Sequence, residues 1–206
     1  MAKWYLVRHG ETEWNADGRF QGQTDVPVHD GGRKAAALTG QRLAGVAFAA
    51  AYASDLRRAR ETAEIVLAAQ PPAQAPAPRF DPALREIAYG VFEGLTWEQI
   101  QRSDPVMADR HVLRDLDFAP EGGESFRGLL TRTDAFVHRV KADHPSHDIL
   151  VVGHGGSLRA LAVSALGLPY DAVWNLRGLE PASISVITHE DGTPALTAWN
   201  DVGHLS

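Results

Sequence analysis

Cysteine is missing from all 206 positions, which excludes disulfide bonds, thiolate metal ligands and a cysteine nucleophile. The chain also has no lysine-rich block, and its formal net charge of −6 argues against general nucleic-acid binding. No apolar run is long enough to span a bilayer, and no signal peptide is recognisable before the first predicted strand. We therefore expect a cytoplasmic protein whose partners include neither nucleic acid nor membrane.

What is present is ordinary for a soluble globular protein: 44% hydrophobic and 22% charged residues. This length predicts a single domain over residues 1–206 with a large core. There is no internal repeat. The proline–alanine stretch from Pro71 to Pro78 is interpreted as a surface loop, because alternation of strands and helices resumes after it.

Short unbroken apolar runs predict buried parallel strands over residues 3–8, 48–53 and 148–152. Two further strands are predicted at an edge, over 182–188 and 195–199. Apolar side chains at helical spacing predict helices over residues 31–45, 56–67, 126–140 and 158–166. Alternating strands and helices predict an α/β fold.

The remaining segments are less regular. Residues 9–29 are predicted to form a long loop, and loops of that length in compact domains are usually functional. Thr96 and Gln99 fit a capping box for a short helix. In residues 103–123 the apolar residues follow neither helical nor strand spacing clearly.

Each of the three predicted parallel strands ends in a polar cluster. The clusters are Arg8-His9-Gly10, the segment 54–58, and His154-Gly155-Gly156. In a doubly wound sheet, ligands bind just beyond the carboxyl ends of the strands. If the three strands are adjacent and parallel, all three clusters meet on one rim.

The residue types in these clusters suit phosphoryl chemistry. A phosphoryl group carries charge on three oxygens, and the guanidinium forks of Arg8 and Arg58 match it. A helix beginning near Gly156 adds backbone N–H donors. Neutral histidine can attack phosphorus, and a carboxylic acid can protonate the leaving oxygen.

Taken singly, each residue has an ordinary structural explanation. A histidine at a strand end is more often a hydrogen-bonded structural residue than a catalyst. Arg58, between Arg57 and Arg60, would more often lie on a solvated helix face, and Glu86 would be a surface acid. The interpretation depends on their joint occurrence in one order along the chain.

That order resembles the histidine phosphatase superfamily, the phosphoglycerate mutase-like proteins, from Lys3 to about Pro169. The first block is Arg8-His9-Gly10-Glu11-Thr12 with Trp14-Asn15. The later blocks that carry the resemblance are Gln21-Gly22, the segment 54–63, Leu84-Arg85-Glu86, the segment 90–94, Gly122-Gly123-Glu124-Ser125, and Gly153-His154-Gly155-Gly156 with Arg159.

The resemblance implies a three-layer sandwich with a mostly parallel central sheet flanked by helices. It also implies that His9 is the nucleophile that is transiently phosphorylated and that Glu86 is the proton donor. Arg8, Arg58 and His154 match the walls of the phosphate pocket. No metal or organic cofactor is implied.

The resemblance further implies a set of substrate-binding residues. Asn15 and Gly155 match positions that contact the phosphate. Gln21, Gly22 and Thr24 match a loop that touches the substrate. Segment 95–125 is expected to form a small helical cap or lid. Trp97, Met107, His111 and Phe118 could form an apolar wall there, although helix packing explains them equally well.

Two positions depart from the commonest pattern of the superfamily. Gln23 stands where tryptophan is frequent. Val28-His29 stands where leucine and then serine or threonine are usual, which predicts the loss of a helix N-cap. We expect Asp30 to replace that cap.

The favoured activity is hydrolysis of a small phosphorylated metabolite by a monomer or homodimer. A phosphoglycerate mutase shares the same pocket, but mutases of this family usually carry a longer insertion after the general acid. A non-catalytic phospholigand sensor would be favoured by loss of His9 or Glu86, and both are present. A metal site built from His9, His154 and Glu86 is disfavoured because two arginines nearby would repel a cation.

Overall fold

A computed structural model describes residues 2–72, 75–112 and 114–206, without the side chains of residues 107 and 110–112. Met107 and His111 of the predicted apolar wall therefore have side chains outside the described part, as do residues 73 and 74 of the proline–alanine loop. Within the described ranges, no helix is both long and apolar enough to cross a membrane.

The centre of the fold is a six-stranded sheet in the order β3-β2-β4-β1-β5-β6. Its first four strands in that order are parallel, and β5 and β6 are antiparallel to their neighbours. The strands are β1 (Ala2–Arg8), β2 (Ala50–Ala53), β3 (Pro78–Phe80), β4 (Ile149–Gly153), β5 (Ile184–Glu190) and β6 (Thr193–Asp201). The mostly parallel sheet predicted from the sequence is thus confirmed, and β3 and β6 are its two edge strands.

Helices cover both faces of this sheet. They are α1 (Glu13–Ala16), α2 (Asp30–Leu43), α3 (Arg57–Ala68), α4 (Trp97–Ser103), α5 (Pro105–Val112), α6 (Phe126–Asp143) and α7 (Gly155–Ala165). Alternate β1 residues point to opposite faces. Trp4 and Leu6 pack with residues of α6 and α7, whereas Val7 packs with residues of α3. Both faces are buried, which explains why the central strands are continuously apolar.

Three elements differ from the sequence-based predictions. The predicted loop 9–29 contains the one-turn helix α1, capped by Thr12. The segment without clear periodicity contains α5, whose first residue is Pro105, a position where proline's missing N–H costs nothing. The short strand β3 begins at Pro78 and pairs only with β2, at the sheet edge where proline is tolerated. The capping box of Thr96 and Gln99 is confirmed at α4.

The predicted replacement of a helix cap by Asp30 is wrong. The N-cap of α2 is His29, whose Nδ1 accepts the N–H of Gly32 at 2.9 Å. Its Nε2 lies 3.1 Å from Glu11 Oε2, so the neutral ring donates there and keeps Nδ1 free to accept. Asp30 is instead the first helical residue and pairs with Arg33. The imidazole of His29 thus caps the helix in place of the usual hydroxyl.

Strand register brings two of the polar clusters together. Arg8 in β1 is paired with Gly153 in β4, so His9 and His154 each follow directly beyond adjacent parallel strands. The N–H of His9 donates to Gly153 O at 2.9 Å. On the other side of β4, Ser54 N–H donates to Val152 O at 3.0 Å just past the end of β2. The predicted rim therefore exists, at the carboxyl ends of β1, β4 and β2.

Candidate active site

His9 is held as a neutral imidazole with a defined tautomer. Its Nδ1 lies 2.7 Å from the carbonyl oxygen of Gly10, an acceptor, so Nδ1 carries the proton and Nε2 keeps a lone pair. Burial lowers the pKa of His9 well below 6.5, and the charges of Arg58 and Arg8 lower it further. At neutral pH the ring is therefore an uncharged base with one nitrogen available.

His154 lies beside His9, with ring centroids 5.0 Å apart. Arg58 Nε donates to His154 Nδ1 at 3.2 Å, so the proton of the neutral ring sits on Nε2. Burial and the charge of Arg58 hold the pKa of His154 well below 6.5. The Nε2 atom is buried without a hydrogen-bond partner in the described structure.

Arg58 is 1% exposed, so it does not lie on a solvated helix face, and the ordinary structural explanation for this residue fails. Its Nη1 donates to Thr24 O at 2.8 Å and its Nη2 to Gly22 O at 2.7 Å. Desolvation lowers its pKa to about 10, which leaves it protonated at neutral pH. Arg58 thus supplies a fixed positive charge and ties the loop before α2 to the site.

Arg8 is the second cation of the cluster and is partly buried. Its Nη1 donates to Leu179 O, while its Nε is buried with no partner among the described residues. A Cβ placed on Gly155 would lie 4.0 Å from this Nε, so the first residue of α7 approaches it closely. Buried polar atoms without a hydrogen-bond partner are uncommon in proteins, and two of those among the described residues, Arg8 Nε and His154 Nε2, belong to this cluster.

Glu86 lies at the N-terminus of α7. Its carboxylate accepts the N–H groups of Gly156 at 3.0 Å and Ser157 at 3.2 Å, and that of Ile87 at 2.9 Å. A Cβ at Gly156 would lie 2.3 Å from Glu86 Oε1, so only glycine admits the carboxylate here. The expected N–H donors of this helix therefore bind Glu86, and Gly155 remains the α7 residue next to Arg8.

The cluster opens into a cavity of about 230 Å³. Of the predicted residues, those lining it are Arg8, His9, Asn15, Gln21, Gly22, Arg58 and Glu86. Asn15 Oδ1 accepts the backbone N–H of Thr12 and Gln21 Oε1 accepts its hydroxyl, which leaves the two amide N–H₂ groups as the donors available to a ligand. Three predicted residues, Thr24, His154 and Gly155, are not among those that line the cavity. The Thr24 hydroxyl donates to Glu93.

The cavity is also lined by Gly18, Arg19, Phe20 and Tyr89, of which Phe20 and Tyr89 were not singled out from the sequence. Phe20 and Tyr89 form an edge-on aromatic pair with centroids 4.9 Å apart, and burial raises the pKa of Tyr89 well above its ordinary value. Tyr89 sits three residues after Glu86, which is the only sequence signal for it. The contact with Phe20 joins distant segments and has no such signal.

Two fixed cations and the imidazole lone pair of His9 lie around a small opening, and His154, which does not line it, holds an N–H donor beside His9. These groups suit an anion with several oxygens, such as a phosphoryl group. In the described part of the chain, no three histidine, aspartate or glutamate side chains converge in a way that could hold a metal ion.

Comparison with known proteins agrees with this chemistry. Residues 4–202 match the family model of the histidine phosphatase superfamily, branch 1. A metal-independent phosphoserine phosphatase of Arabidopsis thaliana is 34% identical over 98% of this chain and 82% of its own. A probable phosphoglycerate mutase, GpmB, of Salmonella choleraesuis is 34% identical over 100% of this chain and 95% of its own.

A solved structure extends the likeness to three dimensions. The mycobacterial glucosyl-3-phosphoglycerate phosphatase, in complex with VO₃, superimposes with a TM-score of 0.85 at 31% identity. The match covers 96% of this chain and 98% of that one. Its fold and this fold are therefore the same over nearly their whole lengths.

Proposed function

The chain belongs to the histidine phosphatase superfamily, and we propose that it hydrolyses a small phosphomonoester through a phosphohistidine formed on His9. The observation that carries this proposal is that His9 and His154 are held as different tautomers. His9 offers a lone pair on Nε2, whereas the neighbouring His154 offers an N–H on its own Nε2. One ring can attack phosphorus while the other donates to a phosphoryl oxygen.

In the first step, His9 Nε2 forms a bond to phosphorus as the bond from phosphorus to the ester oxygen breaks. Arg8, Arg58 and His154 donate to the three phosphoryl oxygens, together with the amide groups of the cavity wall. Glu86, in its acid form, transfers a proton to the departing oxygen, so the alcohol leaves neutral.

In the second step, water attacks the phosphohistidine. Glu86, now a carboxylate, accepts a proton from that water as the P–N bond breaks. His9 regains its lone pair and inorganic phosphate leaves. The same carboxyl group acts first as acid and then as base, which restores the starting state after each turnover.

We also propose that segment 95–125 is a lid that admits water. It is short, and its acidic and basic residues are mixed. Trp97 and Phe118 pack in one cluster with Phe92, Ile100 and Ala108, so helix packing accounts for both. A mutase has to protect its phosphoenzyme from water, and we therefore favour hydrolysis. The relatives include proteins named as phosphatases and as mutases, so the distinction needs experiment.

The test is to trap the intermediate. Brief reaction with a ³²P-labelled phosphomonoester, followed by a denaturing quench, should give labelled protein that is labile in acid and stable in alkali. His9→Ala should abolish both label and turnover. Label on a serine or aspartate, or normal turnover by His9→Ala, would disprove the mechanism.

A further inference from the structure

The main-chain carbonyl of Glu86 accepts hydrogen bonds from two side chains far away in sequence. Arg132 Nη2 donates to it at 2.9 Å and Gln23 Nε2 at 3.2 Å. Glu86 itself lies in an irregular segment between the 3₁₀ turns Pro82–Leu84 and Gly90–Phe92. No helix or strand hydrogen bonds therefore fix this carbonyl, and side chains do so instead.

Arg132, on α6, also donates to a second carbonyl of the segment that carries Glu86. Its Nη1 donates to Ala83 O at 2.8 Å, three residues before Glu86. Its Nε and Nη2 form a two-point ion pair with Glu124, at 2.8 and 2.9 Å. One planar group thus spans two backbone carbonyls and one carboxylate, a geometry that lysine cannot reproduce.

Gln23 approaches the same carbonyl from the loop that Arg58 anchors. Its backbone N–H donates to Glu93 Oε1 at 2.9 Å, and its side-chain Oε1 accepts from Arg85 Nη1 at 3.4 Å. Arg85 is held in turn by Asp55 just past the end of β2. A tryptophan at this position, frequent in similar proteins, could not bridge Arg85 and the Glu86 carbonyl in this way, because its indole donates but does not accept.

Backbone position at Glu86 decides where its carboxyl group meets the substrate. The carboxylate is fixed at its tip by Gly156 and Ser157 on α7. The hydrogen bonds from Arg132 and Gln23 to the Glu86 carbonyl fix the other end of the residue. Glu86 is therefore held both at its backbone and at its carboxylate. Proton transfer to a leaving oxygen needs hydrogen-bond distance, and a displacement of about 1 Å can cost about a hundredfold in rate.

We infer that Arg132 and Gln23 are positioning residues for proton donation by Glu86. This inference rests on the proposed function, since it assigns them to the acid step. A displaced acid slows the reaction of substrates with poor leaving groups more than that of substrates with good ones. This selectivity distinguishes positioning residues from residues that only stabilise the fold. An aryl phosphate needs little protonation of its leaving group, whereas an alkyl phosphate needs it fully.

The experiment measures kcat/KM on 4-nitrophenyl phosphate and on an alkyl phosphate, either phosphoserine or 3-phosphoglycerate, whichever is turned over faster. Arg132→Met should lower the alkyl rate by about a hundredfold and change the aryl rate little. Gln23→Met, which keeps the side-chain length but cannot donate, should show the same selectivity with a smaller loss. Arg127→Met is the matched control, because Arg127 lies on the same helix and its guanidinium pairs with the exposed Asp117, far from Glu86 in sequence.

Glu86→Gln provides the reference for a missing acid. In that background, Arg132→Met should add no further selectivity between the two substrates. Equal losses on both substrates in Arg132→Met, or the same selectivity from Arg127→Met, would overturn the inference. If Arg132→Met does not fold, Gln23→Met decides alone, and an unselective effect overturns the inference. If Glu86→Gln itself shows no selectivity, the proposed role of Glu86 fails instead, which is a distinguishable result.

Discussion

His9 and His154 are neighbours that carry their protons on different ring nitrogens. The Nδ1–H of His9 donates to Gly10 O, whereas Nδ1 of His154 accepts from Arg58 Nε. With ring centroids 5.0 Å apart, both rings stay neutral because burial and Arg58 lower their pKa values. Chemically similar side chains thus take complementary roles, set entirely by the atoms that contact Nδ1.

The first prediction concerns pH. Attack requires neutral His9, and its pKa lies well below 6.5 in the folded protein. His9 therefore stays neutral as the pH falls through 6.5, and the rate of phosphorylation by 4-nitrophenyl phosphate should be retained there. The measurement is a single-turnover rate between pH 5 and 8, corrected for titration of the substrate. A decline centred at 6.5 would show that His9 titrates as an ordinary histidine.

The second prediction compares two adjacent arginines. Arg58→Ala should reduce kcat/KM by an amount equivalent to about 2.7–4 kcal/mol, the scale for losing a buried oxyanion donor. Arg57→Ala is the control, because Arg57 is exposed and its side chain pairs with Glu61 on the same helix. It should leave kcat/KM nearly unchanged. Similar losses in the two variants would remove Arg58 from the phosphate site.

The third prediction is that activity survives chelation. Arg8 and Arg58 supply the positive charge that a phosphoryl group requires, so charge neutralisation needs no divalent ion. Prolonged dialysis against EDTA should leave kcat/KM within experimental error of the untreated enzyme. Loss of activity that one particular metal restores would revive the metal-site alternative.

The fourth prediction separates hydrolysis from mutase activity. With 3-phosphoglycerate as substrate, release of inorganic phosphate should exceed formation of 2-phosphoglycerate, with or without added bisphosphoglycerate. The physical reason is that a lid admitting water lets the phosphoenzyme hydrolyse before the product reorients. Rapid interconversion of the two isomers with little phosphate release would establish a mutase.

The fifth prediction tests the histidine cap of α2. His29→Ala removes the acceptor for Gly32 N–H and should lower the free energy of unfolding by about 1 kcal/mol. His29→Ser restores a side-chain acceptor and should recover most of the loss. Asp30→Ala is the control, because that side chain is 94% exposed. Urea denaturation measures all three, and an unchanged midpoint for His29→Ala would contradict the assignment.

Much of the sheet was predictable because it depends on local patterns, whereas most candidate site residues were proposed from the resemblance to a known family. Apolar runs ending in Arg8-His9 and Gly153-His154 indicate parallel strands with polar termini, and helical spacing locates α3, α6 and α7. The strand β3 was missed because three residues that begin with a proline carry no alternation. The start of α5 has a local signal in Pro105, because proline is favoured at the first position of a helix, but the apolar residues that follow show no helical spacing.

The parts that could not be predicted depend on contacts between distant segments. The proton position on His154 follows from its contact with Arg58 Nε, 96 residues away in sequence. The proton position on His9 follows from the carbonyl of the adjacent Gly10, whose orientation only the folded backbone shows. Arg132 is one of several arginines on amphipathic helices, and only the folded chain shows that it reaches Glu86 O. The histidine cap was missed because imidazole is not among the preferred capping groups.

The position of β1 in the sheet has a consequence for folding during synthesis. Its two neighbours, β4 and β5, begin at residues 149 and 184, so the first strand to leave the ribosome is paired only when most of the chain has emerged. Contacts of such long sequence separation form slowly. His9 follows β1 directly, and the cavity that it lines therefore assembles only after β4 has been synthesised.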